Sequence, residues 1–414
     1  MTGAAAPAAL DAARVRRHFP AFSEPSLDGW AFFENAGGSY PCRQVVDRLT
    51  RVYKSMKVQP YAPYPASERL GAWMDESHER LAHWLNVAPS EVHVGPSTSQ
   101  NVYVLAQAFR GLMREGDEIV VTNQDHEANS GAWRRLAGSG ITVREWRVDP
   151  DTGHLDPDAL DALLGARTRL VCFPHVSNIV GETNPVAEIT QKARAAGAWT
   201  VVDGVSAAPH GLPDVAALGA DVYLFSTYKT YGPHQGVMTV RDELAWALPH
   251  QGHYFNEGKI RTRLTPAGPD HAQVAALAGM SDYFETLDAE HAGGAADPAD
   301  APARVRALMR AREVALARPL LEYLRGRNDV RLLGPVDPEA RAPTVALAHA
   351  RPGETLAAAL AEHGIMAGGG TFYADRLVEA LGVDPRHGVL RLSFLHYTSE
   401  AAIRRLVEAL DRVL

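Results

Sequence analysis

The feature that most constrains the fold is a series of short apolar runs in the middle of the chain. They are EIVVT at 118–122, RLVCF at 169–173, TVVD at 200–203 and VYLFS at 222–226. Helix-like sequence such as PVAEITQKARAAG at 185–197 separates the later runs. Strand, helix and strand in series predict an α/β fold in which the strands pair in parallel through right-handed crossovers. Ligands of such sheets bind at the carboxyl ends of the strands, so we look for functional residues there.

The second half of the chain indicates a smaller domain. The stretch AEHAGGAADPADAP at 289–302 is rich in Ala, Gly, Pro and Asp and has no period, which is typical of a linker. We predict a mainly parallel large domain over 30–288 and a smaller α+β domain over 1–29 plus 303–414. The remaining predicted elements are helices at 67–87, 102–116, 305–327 and 399–414 and strands at 343–349 and 389–394.

Composition excludes several classes of protein. The formal net charge is −8, which argues against nucleic acid as a main partner. The two cysteines, Cys42 and Cys172, form no Cys-x-x-Cys pair, so we expect no structural metal site and a reducing compartment. No apolar run reaches the roughly 18 residues that a membrane span needs, and the N-terminal sequence lacks a signal-peptide pattern. We therefore expect a soluble, cytoplasmic protein.

The segment FSTYKTYGPHQG at 225–236 places Lys229 just after a predicted strand. A lysine at the ligand edge of a sheet can be desolvated, which lowers its pKa and suits imine formation with an aldehyde. A solvated surface lysine is the alternative. Asp203 ends the preceding strand and can reach the same crevice, where a carboxylate would keep a pyridine nitrogen protonated. A turn or helix-capping aspartate is the alternative for Asp203.

A second group of polar residues suits an anion. GPSTSQN at 95–101 opens a predicted helix, and hydroxyls with backbone N–H groups at a helix N-terminus bind phosphate. Ser97 and Thr98 either bind such a group or simply cap the helix. Ser226 and Tyr228 are placed to add hydrogen bonds to the same anion. The glycines at 368–370 are interpreted as a flexible loop only.

Two further residues follow predicted strands. His126, in DHEANSGAW at 125–133, suits stacking on an aromatic cofactor and proton exchange, or is a loop histidine bonded to backbone. Asn178, in HVSNIVGETNP at 175–185, brings an amide to the same edge.

Taken in order, these motifs resemble the class V aminotransferase family, and within it the cysteine desulfurase and selenocysteine lyase-like proteins. The resemblance runs from FFENAGGSYP at 32–41 to RLSFLHYTSEAAIRRL at 391–406. It implies the fold type I architecture of enzymes that use pyridoxal 5′-phosphate, an amino-acid substrate and a homodimer. A stretch at 263–271 is then expected to reach the neighbouring subunit's phosphate, through Thr265 or Gly268.

The resemblance also implies roles for individual residues. Lys229 matches the Schiff-base lysine, Asp203 the partner of the pyridinium nitrogen, His126 the histidine stacked on the ring, and Asn178 the amide near the ring hydroxyl. Ser206 stands where many relatives have glutamine. The phosphate-binding positions are matched by Ser97, Thr98, Ser226 and Tyr228, and many relatives have histidine at the last of these.

The substrate side of the site is implied in the same way. Arg391 matches the arginine that binds the substrate carboxylate, a task that suits a planar guanidinium. Asn35 and Ala36 match a segment that lines the pocket. Aromatic residues within 58–69 and 253–255 are candidates for recognising a bulky substituent, or are ordinary packing residues.

One departure from the family pattern bears on the reaction. Desulfurases of this family carry a loop cysteine that attacks the substrate sulfur, whereas the corresponding region at 364–382 has none. Cys172 lies in a predicted apolar strand and is interpreted as a core residue. Cys42 is a candidate for the nucleophile, but that role is not favoured for it. We therefore expect β-elimination at L-cysteine or an S-substituted cysteine. Desulfuration, a transaminase, epimerase or decarboxylating variant, and a cofactor-binding regulator without turnover are the alternatives.

Overall fold

The computed structural model describes residues 9–291 and 297–414. Over these residues the chain forms thirteen β-strands: β1 Ala31–Phe32, β2 Val92–Gly95, β3 Glu118–Thr122, β4 Thr142–Trp146, β5 Thr168–Pro174, β6 Trp199–Asp203, β7 Val222–Ser226, β8 Gly236–Val240, β9 Val330–Leu333, β10 Thr344–His349, β11 Ile365–Met366, β12 Gly368–Gly370 and β13 Val389–Ser393. The same residues form fifteen α-helices: α1 Ala12–Arg16, α2 Arg43–Ser55, α3 Pro65–Leu85, α4 Thr98–Leu112, α5 Gly131–Arg134, α6 Val186–Ala195, α7 Val215–Leu218, α8 Asp242–Ala247, α9 Ile260–Arg263, α10 His271–Ala276, α11 Ala278–His291, α12 Ala301–Arg325, α13 Gly353–Ala361, α14 Asp375–Ala380 and α15 Glu400–Val413.

Seven strands form the main sheet, in the order β2-β8-β7-β6-β5-β3-β4. Strands β3 to β7 pair in parallel, and β8 lies antiparallel between β7 and β2. The prediction of a mainly parallel sheet is confirmed, and β3 and β7 have the predicted bounds. This order brings the carboxyl ends of β2, β3, β5, β6 and β7 to one edge.

Both faces of this sheet are buried. Along β5, Leu170 and Cys172 belong to one apolar cluster, while Val171 and Phe173 belong to the other. Alternate side chains of a strand point to opposite faces, so a sheet covered on both sides requires continuous apolar runs rather than alternation. This is the physical reason why the central strands stand out in the sequence.

The second sheet is antiparallel and has the order β12-β13-β10-β9. The strands predicted at 343–349 and 389–394 correspond to β10 and β13 of this sheet. The prediction of a flexible loop at 368–370 is wrong, because these glycines form β12 and pair with β13. A Cβ at Gly369 would lie 2.1 Å from the carbonyl carbon of Gly353 at the start of α13. The glycines therefore allow α13 to pack directly on the strand, a tertiary contact that the local sequence does not indicate.

The N-terminal segment joins this smaller unit. Strand β1 pairs in parallel with β11, and Glu34 continues the pairing by a bridge to Ser393 at the end of β13. Of the predicted linker at 289–302, residues 292–296 lie outside the described residues, while the two ends belong to α11 and α12 or to the short turn before α12. The domain boundaries as such stay a prediction. No helix in the described ranges has the length and apolar character needed to cross a membrane.

A close approach between β8 and the start of α4 yields a test of this packing. A Cβ at Gly236 would lie 2.3 Å from the carbonyl carbon of Ser97 and 2.4 Å from the amide nitrogen of Thr98. We expect Gly236→Ala to lower the free energy of unfolding by about 1–3 kcal/mol, because backbone must move to admit the methyl group. Urea unfolding measures this change. Gly138→Ala is the control, since no described atom lies within 4 Å of its added Cβ, and equal midpoints for the two variants would contradict the packing.

Candidate active site

A small cavity opens at the carboxyl edge of the main sheet. It brings together most of the residues predicted from the sequence: Thr98, His126, Asn178, Asp203, Ser206, Ser226, Tyr228 and Lys229. A wider cavity continues outward from it and adds Ser97, Ala36 and Arg391. Residues at or just after the carboxyl ends of β2, β3, β5, β6 and β7 therefore meet at this edge, because the sheet order places these ends side by side.

Lys229 lies in the short turn after β7 and is partly buried. The pKa of its amine is lowered to about 8, mainly by burial and also by the nearby charge of Arg391, while Asp203 and Glu34 act in the opposite direction. A larger fraction of the amine is thus neutral near physiological pH than for a lysine in water. A neutral amine is the form that reacts with an aldehyde or accepts a proton.

Two buried carboxyl groups line the same cavity. Asp203 ends β6 and accepts a hydrogen bond from the amide of Val205 at 2.8 Å, and burial raises its pKa to about 6. Asp125 accepts one from Asn129 Nδ2 at 2.7 Å, and burial together with the charge of Asp203 raises its pKa well above the usual range. Its Oδ1 is buried and has no hydrogen-bond partner among the described residues. Asp125 was not among the residues predicted from the sequence, because a carboxylate beside a histidine in a loop has no distinctive pattern.

His126 is held as a neutral imidazole. Its Nδ1 accepts a hydrogen bond from the amide of Ala128 at 3.0 Å, which leaves the proton on Nε2. Burial lowers its pKa to about 3, with smaller effects from the charges of Lys229 and Arg391. The ring of Tyr373 lies 5.3 Å away, centroid to centroid, and was not predicted to be here.

Hydroxyl groups gather at the N-terminus of α4. Thr98 Oγ1 and Ser226 Oγ are 2.8 Å apart, and both are buried in the cavity wall. Ser97 caps the helix, since its Oγ accepts a hydrogen bond from the amide of Gln100 at 3.2 Å. The ring of Tyr228 stacks on His234 at 4.6 Å. The helix dipole, the free N–H groups of the helix and these hydroxyls suit an anion.

Arg391 lies in the centre of β13 and reaches the wider cavity. Its Nη2 is 2.7 Å from Glu34 Oε1, its Nη1 donates to the carbonyl of Asn178 at 3.2 Å, and its Cζ lies 3.7 Å from the centroid of the Phe372 ring. Burial lowers its pKa, and Glu34 opposes that shift. Asn178 donates to the carbonyl of Phe372 at 3.0 Å through Nδ2. Glu34 and Phe372 were not predicted, because neither the short β1 nor the loop after β12 has a pattern that indicates contact with β13.

Asn35 is placed differently from the expected pocket-lining position. Its Nδ2 donates to the carbonyl of Ser393 at 3.0 Å, its Oδ1 accepts from the hydroxyl of Tyr397, and its side chain is buried. It anchors the N-terminal segment to the smaller unit, and it does not line either of the two cavities described above. Ala36 does line the wider cavity, and its amide is 2.8 Å from Ser393 Oγ.

Both cysteines of the sequence lie in the core. The Cys42 thiol contacts the carbonyl of Gly279 at 3.6 Å, and burial raises its pKa to about 12. Cys172 is buried within β5, and burial raises its pKa well above the usual range. Neither thiol lines the site cavities. Thr265 and Gly268 also lie outside them, and their contact with a neighbouring subunit stays a prediction.

These residues fit pyridoxal phosphate. The hydroxyl pair at the start of α4 suits the phosphate, and Asp203 at the end of β6 suits a protonated ring nitrogen. Lys229 provides an amine of lowered pKa and follows β7, which lies between β2, the strand before α4, and β6, the strand that ends at Asp203. Asn178 Oδ1 is buried and lacks a hydrogen-bond partner among the described residues. It is therefore a hydrogen-bond acceptor in the cavity wall that is available to a bound ligand.

Comparisons with known proteins agree with this geometry. Residues 31–406 match the sequence model of the family described as Aminotransferase class-V. The chain is 31% identical over 412 residues to the aminotransferase-like protein FGM3 of Gibberella zeae, covering 97% of this chain and 98% of that protein. It is 30% identical over 416 residues to a probable cysteine desulfurase of Pseudomonas aeruginosa, covering 96% and 97%. The structure of the cysteine desulfurase CsdA from Escherichia coli superimposes with a TM-score of 0.81 at 25% identity and covers 98% of both chains.

The electrostatics of Lys229 give a test that needs no substrate. With the cofactor removed, acetylation of Lys229 followed by mass spectrometry should rise with pH to a midpoint near 8, the value to which burial lowers its pKa. Arg391→Gln should move the midpoint up, since it removes a repelling positive charge, and Asp203→Asn should move it down. Lys192 is the internal control, because hydrogen bonds to Asp161 and Asp158 raise its pKa. Shifts of the same sign in both variants would contradict the arrangement.

Proposed function

The chain belongs to the class V aminotransferase family, and we propose that it is a pyridoxal-phosphate-dependent enzyme that cleaves the carbon–sulfur bond of L-cysteine or of an S-substituted cysteine by β-elimination. When bound, the cofactor supplies a ring that withdraws electrons and stabilises negative charge at the Cα of an amino acid. The relatives named as cysteine desulfurases support carbon–sulfur chemistry in general. The choice of elimination depends on residues of this chain.

The main observation in favour of elimination over desulfuration is the position of the two cysteines. Transfer of sulfur to the protein requires a thiolate within reach of the substrate. Cys42 and Cys172 are the only cysteines in the sequence, both are buried in apolar packing, and burial raises the pKa of both thiols. Elimination needs no protein thiol, because the sulfur leaves as a thiol or sulfide once the Cα proton has been removed.

Residues of the large unit would hold the cofactor. The start of α4 with Thr98 and Ser226 suits its phosphate, and the Asp203 carboxylate suits its ring nitrogen. Asn178, Ser206 and Tyr228 line the same cavity and are placed to complete its polar contacts. His126 is kept neutral and presents its ring to the cavity, which supports the proposed stacking on a flat aromatic group.

Lys229 and Arg391 would act on the substrate. Lys229 Nζ is the amine of the cavity with a pKa near 8, which suits both attachment to an aldehyde and removal of the Cα proton. The Arg391 guanidinium suits the substrate carboxylate, which fixes the orientation of the bond to be broken. Loss of the Cα proton and of the sulfur from Cβ, followed by addition of water, gives a thiol, pyruvate and ammonia from an S-substituted cysteine.

Desulfuration is the second candidate, and the names of several relatives favour it. It would need an external thiol, or a rearrangement that brings Cys42 out of the core. A transaminase, epimerase or decarboxylating variant uses the same residues and differs in where the proton returns.

We further propose that the protein is cytoplasmic and acts as a homodimer. The strong exposure of Tyr254 and Phe255, at 87% and 65%, supports a subunit contact near 253–271, and light scattering measures the mass in solution.

Product analysis separates the two candidates. The holoenzyme is incubated with L-cysteine and, in parallel, with S-methyl-L-cysteine, and the products are identified by mass spectrometry. We expect pyruvate and the released sulfur compound in stoichiometric amounts. Alanine with sulfane sulfur from L-cysteine would instead establish desulfuration, and no turnover of either compound would overturn carbon–sulfur cleavage.

Removal of both thiols tests the carrying observation directly. We expect the double variant Cys42→Ala, Cys172→Ala to keep kcat within about threefold of the parent enzyme, since neither thiol lines the cavity. Lys229→Ala is the control, and it should lose both turnover and the characteristic absorbance of the lysine-bound cofactor. A loss of several hundredfold in a folded thiol-free variant, with cofactor absorbance retained, would return a cysteine to the mechanism.

A further inference from the structure

Glu34 occupies a position in the site that the proposed mechanism does not use. It follows β1, and its Oε1 lies 2.7 Å from Nη2 of Arg391. The guanidinium is therefore already bonded to a carboxylate that belongs to the chain. The fractional exposures of the two side chains are 25% for Glu34 and 3% for Arg391, so the carboxylate is the more accessible partner of the pair.

The backbone around Glu34 is shaped to hold its carboxylate. The amide of Gly37 donates to Oε2 at 3.0 Å. A Cβ on Gly37 would lie 2.3 Å from Oε2, and a Cβ on Gly368 would lie 2.7 Å from Oε1. Two residues from separate segments thus lack side chains where the carboxylate needs space. The position of the Glu34 carboxylate is consequently fixed by its surroundings, unlike that of a carboxylate in a surface ion pair between mobile side chains.

The other sides of the guanidinium are also covered. Nη1 donates to the carbonyl of Asn178, Phe372 covers one face, and Nε is buried without a partner in the described part of the chain. A second carboxylate that approaches from the wider cavity, whose wall includes Glu34, meets a negative charge before it meets Arg391. Two carboxylates on one buried guanidinium leave a net negative charge, which is unfavourable where water is excluded.

We propose that Glu34 is a specificity-determining residue, an internal carboxylate that competes with the carboxylate of the substrate for Arg391. The proposal rests on the proposed function in one respect, namely that the substrate is an amino acid whose carboxylate binds Arg391. Glu34 must release Arg391 before such a substrate is fully bound, which weakens the binding of every ligand that relies on its carboxylate. Ligands that also engage the site through their amine and side chain are favoured over simple carboxylates.

The test compares two ligands that differ only in the carboxylate. L-Alanine and L-alaninamide are titrated into the holoenzyme, and the change in cofactor absorbance gives each dissociation constant. In Glu34→Gln we expect L-alanine to bind roughly tenfold more tightly, because a competing charge-assisted hydrogen bond has been removed, and L-alaninamide to bind as before. Neither ligand has a leaving group on Cβ, so the result does not depend on carbon–sulfur cleavage.

Glu127→Gln is the matched control. Glu127 lines the same wider cavity and loses the same charge in the variant, but its ion-pair partner is Arg376, at 3.7 Å, rather than Arg391. We expect this variant to bind L-alanine within about twofold of the parent enzyme, since surface pairs contribute little. Equal tightening in Glu127→Gln and Glu34→Gln would show a general effect of charge and overturn a specific role for Glu34.

The opposite role of Glu34 predicts the opposite result. If Glu34 only orients Arg391, its removal weakens L-alanine binding, and that outcome or an unchanged affinity overturns the proposal. Glu34→Ala is the second variant, and it should tighten L-alanine in the same direction. The ratio of the two ligands' affinities is measured within each variant, so a partly unfolded sample does not imitate the expected result. Failure of carbon–sulfur cleavage together with selective tightening of L-alanine would reject the reaction and retain the role of Glu34.

Discussion

The site depends on one constraint, the exclusion of water from ionisable groups at the carboxyl edge of the main sheet. Desolvation destabilises every charged form, so it raises the pKa of acids and lowers the pKa of bases. Burial raises the pKa of Asp203 to about 6 and lowers that of Lys229 to about 8, which brings an acid and a base within reach of neutral pH. Neither residue has the properties of its type in water, and both owe the change to the packing around them.

Sheet order determines which groups share this environment. Because β8 lies antiparallel between β2 and β7, the first residue of β8 comes to the same edge as the ends of the parallel strands. That residue is Gly236, and the absence of a side chain lets the start of α4 lie directly over it. The pairing of the Thr98 and Ser226 hydroxyls, which suits an anion, consequently depends on the sheet topology and on a single glycine.

The sequence predicted the parts of this structure that depend on local pattern. Strands β3 and β7 were found with their observed bounds, since burial on both faces imposes a continuous apolar run. The strand-end residues Lys229, Asp203 and His126 were found because a parallel sheet places strand ends together. Parts that depend on contacts between distant segments were missed or misjudged. Glu34 reaches a strand more than three hundred residues further along the chain, and the glycines of β12 form a strand only because α13 packs on them.

The loop after β12 shows how tertiary contacts bear on the reaction. Phe372 and Tyr373 both adopt left-handed backbone conformations, with φ of 53° and 59°, which costs on the order of 1–3 kcal/mol for each non-glycine residue. Hydrogen bonds offset that strain, because Asn178 Nδ2 donates to the carbonyl of Phe372 and the amide of Glu127 donates to that of Tyr373 at 2.7 Å. The result is that one ring covers Arg391 and the other lies against His126. The region at 364–382, in which the family resemblance implies a nucleophilic cysteine for desulfurases, thus presents two aromatic rings to the wider cavity. In the proposed elimination, these rings would contact an apolar substituent on the departing sulfur.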